Sequence, residues 1–167
     1  MKSAERTIGL PRGIDIGYEN IYDVTSVGIF IHSKDMRYMV LVQQNDQPGR
    51  PWAIPAGKVD DELDQNPQDT AAREALEEVG IQIDQSRLKL ISANSPIGKP
   101  LVAQPIYAYE ISLSEIDLEF SNKEISRVRI VNTKKFFGEY CKDGRSLYRQ
   151  EKWWATIKSL LESKYII

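Results

Sequence analysis

Apolar positions along this chain follow two periods. Val24 to His32 (VTSVGIFIH) and Tyr38 to Gln44 (YMVLVQQ) are dense in β-branched and aromatic residues. Both read as strands, joined as a hairpin by the turn at Ser33-Lys34-Asp35. Asn45 to Arg50, with Pro48 and Gly49, reads as a loop, and Trp52 to Ile54 as a short strand. From Ala71 the period changes to that of a helix. Ala71, Ala72, Ala75, Leu76 and Val79 share one face at core-facing spacing. The start of this helix is well signposted: Asn66 as N-cap, Pro67 at the first helical position and Asp69 at the third, the capping-box site. Gly80 is placed to end it.

Beyond the helix the strands return. Leu88 to Ala93 reads as a strand, and Asn94 to Pro100 as a loop. Leu101 to Leu113 reads as a longer strand in which Pro105 marks an edge or a bulge. Glu115 to Asn122 is an acidic loop, and Ile125 to Val131 alternates as another strand. Leu147 to Leu161 is an amphipathic helix with Trp153, Ile157, Leu160 and Leu161 inward and Trp154 toward solvent. Residues 1–22 carry Gly9, Pro11, Gly13 and Gly17 without a period. They read as an arm or irregular lead-in with room for a short strand, ahead of a single domain at 23–167. The order strands, helix, strands, helix predicts an α+β fold with a mixed sheet between helices.

Composition narrows the picture without supplying chemistry. A chain of 167 residues with 41% hydrophobic and 28% charged positions suits one domain with a sizeable core. The net charge of -2 and the lack of a long basic run argue against nucleic acid as the main partner. No apolar run reaches the length of a membrane span, and the first residues lack an apolar signal core. The one cysteine, Cys141, cannot form an internal disulfide, which points to a reducing cytoplasm. Cys141 and the lone His32 both read as incidental or structural rather than as a nucleophile or ligand.

The chemistry sits on the other side of the first helix. Glu74, Glu77 and Glu78 fall at i, i+3 and i+4 on one face. Arg73 and Glu77 form an ordinary stabilising pair. Glu74 and Glu78 are a like-charge pair, which costs a few tenths of a kcal/mol in a helix. A solvated face has no need of that cost, whereas a site for a hard, oxygen-loving cation such as Mg²⁺ does.

The stretch Arg73-Glu74-Ala75-Leu76-Glu77-Glu78-Val79-Gly80-Ile81 resembles the second half of the Nudix box, R-E-U-x-E-E-x-G-U, where U is a bulky aliphatic residue and Ala75 is small for it. The lead-in Trp52-Ala53-Ile54-Pro55-Ala56-Gly57-Lys58-Val59 is similar to the strand before the box. Gly57 stands two residues farther from Arg73 than the box spacing. Leu63 or Gln65 therefore falls where the first box Glu belongs, and Glu62 and Asp64 are the candidates to replace it. The extra residues are expected to bulge before Asn66, because an insertion in a loop is cheap.

The resemblance implies a MutT-like α/β/α sandwich and hydrolysis of a nucleoside diphosphate linked to another moiety. It implies Mg²⁺, with Mn²⁺ as an alternative, on Glu74, Glu77, Glu78 and the Gly57 carbonyl. Arg73 would hold a glutamate in place. The general base would be Glu74 or Glu124, which lies in the loop before a late strand. Lys58 reads equally as a phosphate contact or a solvated loop lysine. Trp52, Tyr38, Tyr107 and Phe120 are candidates to stack on a base, and Pro96 is a weak pointer to ADP-ribose. The partner implied is a small nucleotide diphosphate derivative, with homodimerisation left open. The irregular spacing keeps a second reading alive, a Nudix-fold nucleotide-binding or regulatory module with little or no activity.

Overall fold

The computed structural model describes residues 14–15, 21–45, 52–94, 102–139 and 150–164. The loops read at 45–50 and 94–100 lie outside them beyond Asn45 and Asn94, as do Cys141, Pro96 and most of the N-terminal lead-in. Within the lead-in, β1 (Ile14–Asp15) pairs antiparallel with β2 (Ile21–Val24).

The main sheet is built on β3 (Ser26–His32) and β4 (Tyr38–Gln44). Alternate residues of each strand enter different cores, as the two-residue period of a strand requires. Val27, Ile29 and Ile31 of β3, with Val40 and Val42 of β4, pack on one side. Phe30, Met39 and Leu41 pack on the other. Both faces are covered, which is why these strands read as almost unbroken apolar runs. β3 continues into β9 (Ile106–Glu110) as a parallel neighbour, and β9 into β7 (Lys89–Ser92) antiparallel. At the other edge β4 pairs with β10 (Ile125–Asn132). The sheet is thus mixed, in the order β10-β4-β3-β9-β7, with β5 (Trp52–Ala53) on β4 and β6 (Ala56–Lys58) on β3.

The stretch read as one strand from Leu101 to Leu113 is two. β8 (Val102–Ala103) pairs parallel with β2 in a separate small sheet, and β9 lies inside the main sheet rather than at its edge. Pro105 sits at the break. It has no N–H to give to a ladder, yet its carbonyl still accepts the Gly28 N–H at 2.9 Å.

Among the described residues three α-helices flank the sheet. α1 (Pro67–Val79) covers the first face through Ala71, Ala75 and Val79. α2 (Thr133–Glu139) and α3 (Glu151–Ser163) cover the second with Phe136, Phe137, Trp153, Trp154, Ile157 and Leu161. α2 was not anticipated from the sequence. Its signal was local: Asn132 accepts the Lys135 N–H at 2.9 Å, an N-cap before a run holding two phenylalanines. Trp154 corrects an expectation too. It is 2% exposed, stacked on Phe136 with centroids 5.1 Å apart. Among the described residues no helix is long and apolar enough to cross a membrane.

Candidate active site

α1 begins where its sequence signals place it. Asn66 is extended and its side chain accepts the Asp69 N–H at 2.8 Å. Asp69 reaches back to the Gln65 N–H at 3.0 Å, one residue beyond the capping-box partner Asn66. Gly80 closes the helix in the left-handed region at φ 78°. The extra residues before Asn66 fold into a tight turn. Asp60 accepts the N–H groups of Glu62 and Leu63 at 2.9 and 3.0 Å, and its own N–H donates to Asp64 at 2.8 Å.

That turn buries Asp64 and aims it at Arg73. The guanidinium donates Nε to Oδ1 at 3.1 Å and Nη2 to Oδ2 at 2.8 Å, a two-pronged charged pair. Thr70 donates its hydroxyl to the same carboxylate at 2.9 Å. Burial works against the charge on Asp64, but the hydrogen bonds from Arg73, the Asp60 N–H and Thr70 outweigh it and hold its pKa below the usual value. Glu62 is exposed. Of the two candidates for the missing box glutamate, Asp64 meets Arg73.

Arg73 is a hub. Nη2 also donates to the Lys58 carbonyl at 2.9 Å, Nη1 to Glu74 at 2.9 Å, and Nη1 approaches Glu77 at 3.4 Å. Its pKa is raised, first by the bonds to Asp64. The Lys58 side chain is exposed, and the part of Lys58 that Arg73 engages is its backbone.

The carboxylate face differs from the helical-wheel reading. Glu74 and Glu78 are buried, at 8% and 3% exposure, while Leu76 is 54% exposed. The wheel ranked faces by apolarity, whereas the helix here turns two glutamates toward the strand that carries Gly57. A Cβ at Gly57 would overlap the Glu74 carboxylate, so glycine is required by close approach. Glu78 accepts the Ala56 N–H at 2.6 Å and the Gln44 amide at 3.2 Å. Burial pushes Glu74 up to about 7, with Arg73 pulling it down and Glu77 and Glu124 adding repulsion. Burial likewise raises Glu78 well above the usual range, against the Ala56 hydrogen bond and with help from Glu74, Glu124 and Glu77. Glu77 stays half exposed beside Arg73.

Glu124 is exposed on the loop immediately before β10, and its charge acts on both buried glutamates. A cavity of about 320 Å³ is lined by Glu77, Asn122, Lys123 and Glu124. The other sequence candidates lie elsewhere. His32 is buried with Nδ1 on the Ser33 carbonyl at 2.6 Å, a structural role. Tyr107 is in the core and Phe120 packs over Gly80. Trp52 is half-buried under the Arg129 guanidinium, 4.8 Å from its centroid. A polar contributor that the sequence did not reveal is Gln150. Its amide bonds both the N–H and the carbonyl of Ile54, at 2.9 and 3.1 Å, bracing the segment between β5 and β6.

The donor set suits a hard cation. Glu74, Glu77, Glu78 and the Gly57 carbonyl offer oxygen alone, and burial disfavours the charged form of both Glu74 and Glu78. No three His, Cys, Asp or Glu side chains among the described residues are drawn into a ready ligand cage. Mg²⁺ does not require one, because it keeps several waters and shares its shell with substrate phosphates.

Comparison with known proteins agrees with this architecture. The chain is similar in fold to a MutT protein from Methanosarcina mazei Go1, with 17% identity and a TM-score of 0.57 over 82% of this chain and 95% of that one. It is similar to the NUDIX domain of Shewanella oneidensis NrtR, solved with ADP ribose, at 13% identity and a TM-score of 0.59 over 83% of this chain and 87% of that one. A MutT/nudix family protein from Enterococcus faecalis matches at 20% identity and a TM-score of 0.51 over 71% of this chain, which spans 47% of that longer protein. At such identities the likeness speaks for the fold. The family model described as NUDIX domain matches residues 23–150, most of the sequence, and with it the chain belongs to the Nudix family.

Proposed function

We propose that this protein hydrolyses the diphosphate bond of a nucleoside diphosphate linked to another moiety, with Mg²⁺, or Mn²⁺ in its place, held by Glu74, Glu77, Glu78 and the Gly57 carbonyl. The observation that carries this reading is the pair of buried glutamates, Glu74 and Glu78, turned toward the Gly57 strand. Two buried like charges are costly to maintain, and a divalent cation offsets that cost. When bound, the cation neutralises diphosphate charge, polarises a phosphoryl oxygen and lowers the pKa of water.

The remaining roles fall to the chain's own groups. Arg73, fixed by Asp64 and the Lys58 carbonyl, keeps the Glu74 carboxylate oriented. The Ala56 N–H and the Gln44 amide do the same for Glu78. Glu74 Oε1 is engaged by Arg73, whereas Glu124 is exposed and lines the cavity beside Glu77. We assign the proton-accepting role to Glu124. The lack of a long basic run favours a small nucleotide over RNA, and the single cysteine favours a reducing cytoplasm.

The test is a panel of ADP-ribose, nucleoside triphosphates, dinucleoside polyphosphates and sugar nucleotides, assayed with Mg²⁺ by separating the phosphorylated products. A nucleoside monophosphate together with the phosphorylated partner from at least one diphosphate-linked compound is expected. Absence of turnover across the panel overturns the hydrolase reading. The Shewanella domain was solved with ADP ribose, so tight binding without cleavage would instead favour a binding module.

A further inference from the structure

Glu124 reaches the site on a loop distant in sequence from α1, and that loop is tied down by two asparagines. Asn122 donates Nδ2 to the Glu77 carbonyl at 2.6 Å. This carbonyl lies in the last turn of α1, where carbonyls have no partner within the helix. The other end of the same amide, Oδ1, accepts the N–H groups of Glu124 and Ile125, each at 2.9 Å. Asn45, the residue after β4, donates Nδ2 to the carbonyls of Asn122 and Lys123 at 3.1 and 3.2 Å. Its N–H donates to the Glu124 carbonyl at 2.7 Å. At the start of the loop, Phe120 packs on Gly80, the C-cap of α1.

These bonds are mostly at the surface, where water competes with each of them, so their net contribution to stability is small. What they fix is geometry. One amide bridges the helix that carries Glu74, Glu77 and Glu78 to the backbone N–H of Glu124. Glu77 lines the same cavity as Asn122 and Glu124.

We propose that Asn122, seconded by Asn45, is a positioning residue that clamps the Glu124 loop to the C-terminal turn of α1, so that the Glu124 carboxylate is presented to the Glu74–Glu78 pair. The inference rests on the hydrolase reading and extends it to a residue outside the box. Asn122 touches neither substrate nor metal in this scheme; it acts through Glu124. A loop clamp with a purely structural role would alter stability and leave the catalytic step alone.

The experiment compares wild type, Asn122→Ala, Asn122→Asp, Glu124→Gln and the double variant Asn122→Ala with Glu124→Gln, on the best substrate of the panel. Asn122→Asp keeps the acceptor for the Glu124 and Ile125 N–H groups but loses the donor to Glu77, so it tests the clamp even if the alanine variant folds poorly. Asn122→Ala and Asn122→Asp should lower kcat by about 10- to 100-fold, the usual effect of losing a supporting hydrogen bond, with KM changed far less. The double variant should be no slower than Glu124→Gln, because residues acting through one group are not additive. Wild-type kcat in both Asn122 variants, or a double variant slowed by the product of the two single effects, overturns the inference while leaving the hydrolase reading in place. A wild-type protein that turns over no substrate overturns the hydrolase reading, and this inference with it.

Discussion

Replacing Asp64 with Asn removes one charge from the Arg73 hub at nearly constant volume. Both Asp64 oxygens act as acceptors. Oδ1 takes Arg73 Nε, while Oδ2 takes Arg73 Nη2, the Asp60 N–H and the Thr70 hydroxyl. An amide must set its NH₂ against a donor whichever way it turns. The Asp64 side chain is 2% exposed, so water cannot repair the mismatch. Hydrogen bonds to charged groups contribute about 1.5–3 kcal/mol, and breaking a buried pair from one side costs about 3–5 kcal/mol. Arg73 keeps Glu74, Glu77 and the Lys58 carbonyl, and is 19% exposed, which favours the low end. We expect a loss of about 2 kcal/mol, or a Tm lower by about 4–8 °C for a chain of this size.

The pH dependence gives a second handle. The folded pKa of Asp64 is depressed, so its contribution is present above the unfolded value of 3.8 and lost as pH falls through the folded value. Thermal melts of wild type and Asp64→Asn should therefore differ at pH 7 and converge below pH 4. Equal melting at pH 7, or a gap that widens in acid, refutes the assignment of Asp64 as the Arg73 anchor.

Other expectations follow from the same geometry. Gly57→Ala forces a methyl into the Glu74 carboxylate; it should cost about 1–3 kcal/mol of stability, as overpacking does, and depress kcat, as read by melts and steady-state rates. Because burial raises the folded pKa of Glu74 to about 7, its contribution to the stability of the metal-free protein is fully present below the ordinary carboxylate value of 4.5 and is lost as pH rises through 7. Tm in EDTA should fall from pH 5 to pH 8, and Mg²⁺ should raise it more at pH 8 than at pH 5; an Mg²⁺ effect independent of pH would contradict this. Glu78→Gln should lower kcat by orders of magnitude, and Glu77→Gln by less, since Glu77 is half exposed and shared with Arg73; equal rates for Glu78→Gln and wild type at saturating Mg²⁺ would remove Glu78 from the ligand set.

Much of the site was legible because its signals are local. Asn66-Pro67, Asp69 and Gly80 set the ends of α1 through capping bonds and backbone conformation within a few residues. The expanded turn could also be placed, because no residue from Asp60 to Gln65 competes with Asn66 as a helix start. The face of α1 was misjudged for the opposite reason. Burial of Glu74 and Glu78 depends on Gly57, Ala56 and Gln44 arriving from other strands, and periodicity within one helix does not contain them. The split at Pro105 was half visible, since the proline marks a break but not the change of sheet. Gln150 and the Asn122–Asn45 clamp were not legible, because each joins segments tens of residues apart through single amides.

In the proposed reaction the α1 glutamates hold the cation on which diphosphate hydrolysis depends. The most direct measurement is turnover against Mg²⁺ concentration for metal-stripped wild type and Glu78→Gln, from EDTA to saturation, at pH 7 to 9. A cation held by these glutamates requires no turnover in EDTA, a saturable rise with Mg²⁺ that grows with pH in the wild type, and a Glu78→Gln curve shifted to higher Mg²⁺ with a far lower plateau. Full turnover of metal-stripped protein in EDTA, or superimposable curves for the two proteins, would contradict it.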